Sequence, residues 1–286
     1  MARRKRKVVT ETILIDCDAP SSSPTDASVK AHSNLTEPEA DEREWSFAAD
    51  SSSLIPVRYP RRQRSKRKIG TKNEISLQEK LNSGAFECYF QNLWRSFSED
   101  KRTSFAYLDC LWFGLYRKPS HKAKVLTWIQ KKHIFSKKYV FVPIVCWSHW
   151  SLLIFCHFGE SLQSETKTPC MLLLDSLEKA NPRRLEPEIR KFVLDVYKAE
   201  GRLETKDSIY GIPLLVPEVP QQRNDVECGS FVLYFINLFV ESAPEDFSME
   251  SYPYFMKKNW FTPEGLESFC KKMESLNEKS DVYELL

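Results

Sequence analysis

The sequence predicts an α+β domain, in which strands and helices are grouped instead of alternating as βαβ units. Two β-branched and aromatic runs, Tyr139–Ile144 and Trp150–Phe155, follow each other after a short break and read as neighbouring strands. A third apolar run, Cys170–Leu174, ends at Asp175. Two helical patterns follow, one with a single apolar face and one apolar on nearly every side.

Taken in order, residues 1–72 read as a disordered tail and residues 73–286 as the folded domain. The tail carries Ser21-Ser22-Ser23-Pro24, acids from Glu37 to Glu44 and Ser51-Ser52-Ser53, too little apolar surface to offset its ordering entropy. Within the domain, Leu108–Tyr116 and Ala123–Lys132 carry large apolar residues and read as helices. After the three strands, Pro187 suits a first helical turn, where its missing N–H costs nothing. Ile189, Phe192, Val193, Val196 and Tyr197 then form one face, and Gly201 is a natural stop. Ile212–Val219 reads as a fourth strand, and Gly229–Glu241 as a central, buried helix.

Composition limits the function classes. The chain has 286 residues, and 42% apolar content is ample for one sizeable core. No apolar run of about 18 residues predicts a membrane span, and the basic start leads into no apolar stretch of a secretory signal. The eight cysteines lack framework spacing and read as reduced thiols; without a Cys-x-x-Cys, no metal is expected. Net charge is +5 over residues 1–72 and −2 over the remainder. The folded part is thus near neutral, which argues against a nucleic-acid partner. Two basic clusters, Arg3–Lys7 and Arg61–Lys68, predict nuclear import, with the cytoplasm as a second location.

Cys228 stands between the polar stretch Pro220–Asp225 and the buried helix. A thiol at a helix start meets unpaired N–H groups, which favour the thiolate, and Gly229 leaves room for a substrate backbone. His149 opens a strand and can act as base toward a thiol. Asp175 is delivered at a strand end, where it either caps a helix with Ser176 or orients the His149 ring. Gln222, six residues before Cys228, supplies an amide suited to an oxyanion hole with the Cys228 backbone N–H. Each residue alone also has an inert structural reading.

Together these residues resemble the ubiquitin-like-specific (SUMO-specific) cysteine proteases. The likeness rests on His149-Trp150-Ser151-Leu152, then Leu174-Asp175-Ser176-Leu177, then Pro220-Gln221-Gln222 followed by Cys228-Gly229. Phe135–Ile144 resembles the strand approach to the histidine, and Asn259-Trp260-Phe261 the C-terminal signature. Ala243–Phe247 and the Asn259 motif look more like the branch that edits SUMO chains. The resemblance implies a papain-like fold with permuted catalytic order (His, Asp, Gln, Cys) and a central mixed sheet flanked by helices. It implies His149 as general base, Asp175 as its orienter, Cys228 as nucleophile and Gln222 as oxyanion donor. Trp150 would cover the tunnel for a Gly-Gly tail, and Tyr107, first of Tyr107-Leu108-Asp109-Cys110, would contact substrate. The implied activity is hydrolysis after the C-terminal Gly-Gly of SUMO, without cofactor, on SUMO or SUMO-conjugated proteins. The alternatives are the same chemistry on another ubiquitin-like protein, an acetyltransferase using an acyl-CoA donor, and a non-catalytic SUMO-binding scaffold. In the tail, Ile13, Leu14, Ile15 and Asp16 resemble a SUMO-interacting segment, which adds as a strand to a sheet edge.

Overall fold

A computed structural model describes residues 76–164, 167–177, 179 and 181–283. The tail, both basic clusters and the Ile13–Asp16 segment lie outside the described residues. The core element is a five-stranded mixed sheet in the order β1-β2-β3-β4-β5. Its strands are β1 (Phe105–Tyr107), β2 (Tyr139–Cys146), β3 (His149–Cys156), β4 (Cys170–Leu174) and β5 (Leu214–Leu215). The three central strands are antiparallel, and the two short outer ones run parallel to their neighbours.

Side-chain alternation along each strand divides the core into two halves. Trp150, Leu152 and Ile154 of β3 face helices α1 (Ser83–Ser96), α7 (Cys228–Ser242) and α8 (Pro263–Tyr283). Leu153 and Phe155 face α3 (Trp112–Tyr116), α4 (Pro119–Gln130) and α5 (Glu186–Ala199). Two short α-helices, α2 (Glu99–Ser104) and α6 (Lys206–Tyr210), and two 3-10 turns, Ile134–Ser136 and Pro182–Leu185, are also present. The α7 helix buries Phe231, Val232, Leu233, Phe235, Ile236, Phe239 and Val240 around much of its circumference, as its all-apolar sequence demands. No helix among the described residues is long and apolar enough to cross a membrane.

The α+β class and the mixed sheet flanked by helices are as the sequence predicts, with four local corrections. The segment 108–111 is not helical. The Leu108 N–H donates to the Phe141 carbonyl, continuing β1, and Asp109 accepts from the Leu111 and Trp112 N–H groups to start α3 late. The next helix begins earlier than Ala123, because Pro119 takes its first turn, and it ends before His133, which is left-handed at φ 48°. Only Leu214–Leu215 of the fourth predicted strand pairs with the sheet. Pro213 and Pro217 bracket this pair and have no N–H to donate. Gly229 does not leave space for a substrate: a Cβ there would sit 3.0 Å from Leu81 Cδ1 and 3.1 Å from Leu81 Cβ. The glycine lets the 81 segment pack onto the start of α7.

Gly229→Ala is therefore expected to displace Leu81 and destabilise the domain by roughly 1–3 kcal/mol, the usual cost of overpacking. Urea unfolding of the variant measures this. A midpoint equal to wild type would mean that the segment gives way freely.

Candidate active site

The hairpin between β2 and β3 sets the first site residue. Cys146 pairs with His149, so Trp147 and Ser148 form a two-residue turn, both left-handed at φ 52° and 60°. Such a turn matches the twist of the strands and fixes the register of β3 tightly. His149 is thereby held at the first position of β3, 9% exposed. Asp175 follows the last residue of β4, which lies beside β3, and is 5% exposed. The His149 Nε2–H donates to Asp175 Oδ1 at 2.7 Å. Ser151 Oγ donates to Oδ2 at 2.8 Å, and the Leu177 N–H donates to Oδ1 at 2.8 Å. Three donors thus compensate the burial of the carboxylate.

Cys228 is the first residue of α7 and 1% exposed. It bonds to the His149 ring and to the backbone N–H groups of Trp150 and Gly229. With Nε2 committed to Asp175, Nδ1 is the ring nitrogen that faces the sulfur. Burial raises the thiol's pKa, but the bonds to His149 and to the two N–H groups, with the imidazolium charge, outweigh it and lower it. Burial also opposes the imidazolium, yet the bonds to Asp175 and Cys228 push His149 up to about 9. Both shifts favour a thiolate–imidazolium pair near neutral pH.

Gln222 lies on the loop before α7, and its backbone N–H donates to the Ser176 carbonyl at 2.9 Å. Its Oε1 accepts from Ser176 Oγ at 2.6 Å, and its Nε2 donates to the Asn224 carbonyl at 2.6 Å. Trp150 is 2% exposed, stacked on Phe86 with centroids 4.0 Å apart, and its Nε1–H donates to the Leu81 carbonyl at 3.2 Å. Tyr107 joins this cluster through rings: it packs edge-on against Phe90, which stacks on Phe86. Lys132 lies over the Tyr107 ring at 4.8 Å. Burial, with Glu87 and Asp109 nearby, pushes the Tyr107 hydroxyl up to about 12. Tyr107 pairs with Phe141, five residues along β2 from Cys146, so it stands away from the His149 end of the sheet.

Four supporting residues were not expected from the sequence. Ser151 was legible in principle, since it shares the His149 face of β3 by alternation. Leu81 and Phe86, which hold Trp150, stand more than 60 residues from it and give no local signal. Gln221, whose Nε2 donates to the Asp175 carbonyl at 3.1 Å, was hidden by its neighbour.

A buried thiol bonded to an imidazole, itself bonded to a carboxylate, is the arrangement of a cysteine protease. Residues 81–271 match the model of the Ulp1 protease family, C-terminal catalytic domain, and the chain belongs to that family. Among its relatives, a probable ubiquitin-like-specific protease 2A of Arabidopsis thaliana is 30% identical over 204 residues, 63% of this chain and 26% of the relative. Sentrin-specific protease 7 of Rattus norvegicus is 24% identical over 191 residues, 48% of this chain and 18% of the relative. The chain thus aligns with about a quarter or less of the length of these relatives. The crystal structure of a de-sumoylating protease superposes with a TM-score of 0.51 at 20% identity, over 69% of this chain and 80% of that one, and shows the same fold.

Proposed function

We propose that the chain hydrolyses the peptide or isopeptide bond after the C-terminal Gly-Gly of SUMO. The observation that carries this reading is the Cys228–His149–Asp175 chain of hydrogen bonds, with Trp150 next to it, in a member of the Ulp1 family. Relatives named as ubiquitin-like-specific and sentrin-specific proteases support SUMO as the modifier.

In this mechanism the Cys228 thiolate attacks the glycyl carbonyl and forms a tetrahedral oxyanion. The Cys228 backbone N–H and the second Nε2 hydrogen of Gln222 stabilise that oxygen, while Ser176 and Asn224 hold the amide in place. The intermediate collapses, the C–N bond breaks, and His149 gives its Nδ1 proton to the leaving amine. A water then loses a proton to His149 and attacks the thioester, releasing the glycine carboxylate and the Cys228 sulfur. Asp175 keeps the ring in the required tautomer throughout. Trp150, held from behind by Phe86 and Leu81, covers the tail, and only residues without a Cβ pass beneath it. Tyr107 acts further along the same aromatic cluster. The basic clusters of the tail direct the chain to the nucleus.

A SUMO carrying a C-terminal vinyl sulfone is expected to label the wild-type chain and to leave Cys228→Ser unlabelled. Labelling that survives the substitution would move the nucleophile elsewhere. Preferential labelling by another ubiquitin-like probe in the same panel would replace SUMO as the substrate.

A further inference from the structure

We propose that the tip of the β2–β3 hairpin is a leaving-group subsite that reads an acidic side chain near the acceptor lysine; this rests on the isopeptidase reading above. Trp147, at that tip, is 57% exposed. Its left-handed conformation, shared with Ser148, is one that Asn and Gly adopt more readily than an indole. A bulky aromatic residue kept there gains no core packing in return. Instead, its ring is flanked by two guanidinium groups, Arg184 at 4.3 Å and Arg117 at 5.8 Å from the centroid.

The two arginines differ in what they have left to bind. Arg117 is tied to Glu188 and to Cys146 Sγ at 3.2 Å. Arg184 is exposed and forms no ion pair among the described residues. Its guanidinium lies over the indole and carries a fork of N–H donors whose geometry matches a carboxylate.

Position connects this patch to the reaction. Trp150 packs on the α7 side of the sheet, whereas Arg117 follows α3 and Arg184 precedes α5, both on the opposite side. Trp147 precedes His149 by two residues, and its ring lies with these arginines on the side of the sheet away from Trp150. A tail that enters beneath Trp150 and presents its last carbonyl to Cys228 continues past His149, which protonates the departing amine. The polypeptide bearing the lysine then meets Trp147 and Arg184.

The test uses SUMO joined through an isopeptide bond to lysine peptides that differ only in flanking Glu, Gln or Lys. Wild type is expected to favour the Glu peptide over the Gln peptide by about tenfold in kcat/KM, the scale of one charge-assisted hydrogen bond. Arg184→Gln should bring this ratio close to one, and Arg184→Glu should turn the preference toward the Lys peptide, an inversion that a merely structural role would not produce. Equal Glu-to-Gln ratios in wild type and Arg184→Gln would overturn the subsite. SUMO-coumarin, which carries no flanking peptide, separates the two readings. Its cleavage by wild type without any acid preference overturns the subsite alone. A wild type that releases coumarin from neither SUMO nor any other ubiquitin-like tail overturns the isopeptidase reading, and the subsite with it.

Discussion

Asp175→Asn is expected to lower kcat by on the order of 10³–10⁴-fold while leaving the domain folded, as for orienting carboxylates in related triads. The wild-type carboxylate accepts from His149 Nε2, Ser151 Oγ and the Leu177 N–H. An asparagine of the same shape offers one oxygen for these three donors, and its NH₂ must face one of the positions where an acceptor stood. If that position is the His149 side, the ring turns to the tautomer with its proton on Nδ1. Nδ1 then points a hydrogen at Cys228 and can no longer take the thiol proton. Loss of the carboxylate also removes a main cause that raises His149, so its pKa falls from about 9 and less imidazolium is present to protonate the leaving amine. Steady-state cleavage of SUMO-coumarin, alongside a far-ultraviolet circular dichroism melt, measures both halves. A folded variant within tenfold of wild-type kcat would show that another group orients the ring.

The chain of residues from His149 to Cys228 was legible because each member is fixed by its own neighbours. Four apolar residues before Asp175 mark a strand end, and an unbroken apolar run after Cys228 marks a buried helix. Runs of β-branched, aromatic and aliphatic residues placed β2, β3 and β4 to within two residues at either end. What depended on distant partners was not legible. α1 buries the stripe Phe86, Tyr89, Phe90 and Leu93, and also Glu87 and Asn92 beside it, whose burial only the folded context explains. Glu87 is pushed up to about 7 by burial first and by Asp109 next, and Lys132, two residues past the end of α4, supplies the compensating charge. Strand β1 has three residues, too few for alternation to show, and exists because Ser104 and Leu108 bond to the segment around β2. The same holds for Gly229. Its sequence context suggested access for a substrate, whereas its function is close packing against Leu81, a residue brought there by the whole fold.

Removing the histidine has the second large consequence. His149→Ala is expected to lower kcat by about 10⁵-fold, because residues acting as a unit lose nearly everything when one is deleted. The more diagnostic effect is on the thiol itself. In wild type, the lowered pKa of Cys228 and the raised pKa of His149 bound a window in which thiolate and imidazolium coexist. On the acid side, activity falls as the thiolate is protonated, below the ordinary thiol range near 8.5. On the alkaline side, it falls as the imidazolium is lost around pH 9. Alanine at 149 removes both the hydrogen bond and the charge that lower Cys228, leaving burial, which is the largest contribution and acts upward. The thiol of the variant therefore titrates above the wild-type value, and its alkylation at pH 6 should slow by roughly tenfold for each pH unit by which the thiol rises. Burial raises the thiols of Cys110, Cys146, Cys156 and Cys270, whereas Cys88 is exposed, so alkylation by iodoacetamide is read on the Cys228 peptide itself. Mass spectrometry of the tryptic peptide holding Cys228 follows the rate across pH 5–10. A profile unchanged by His149→Ala would mean that the start of α7 alone activates the thiol, with the histidine confined to proton delivery.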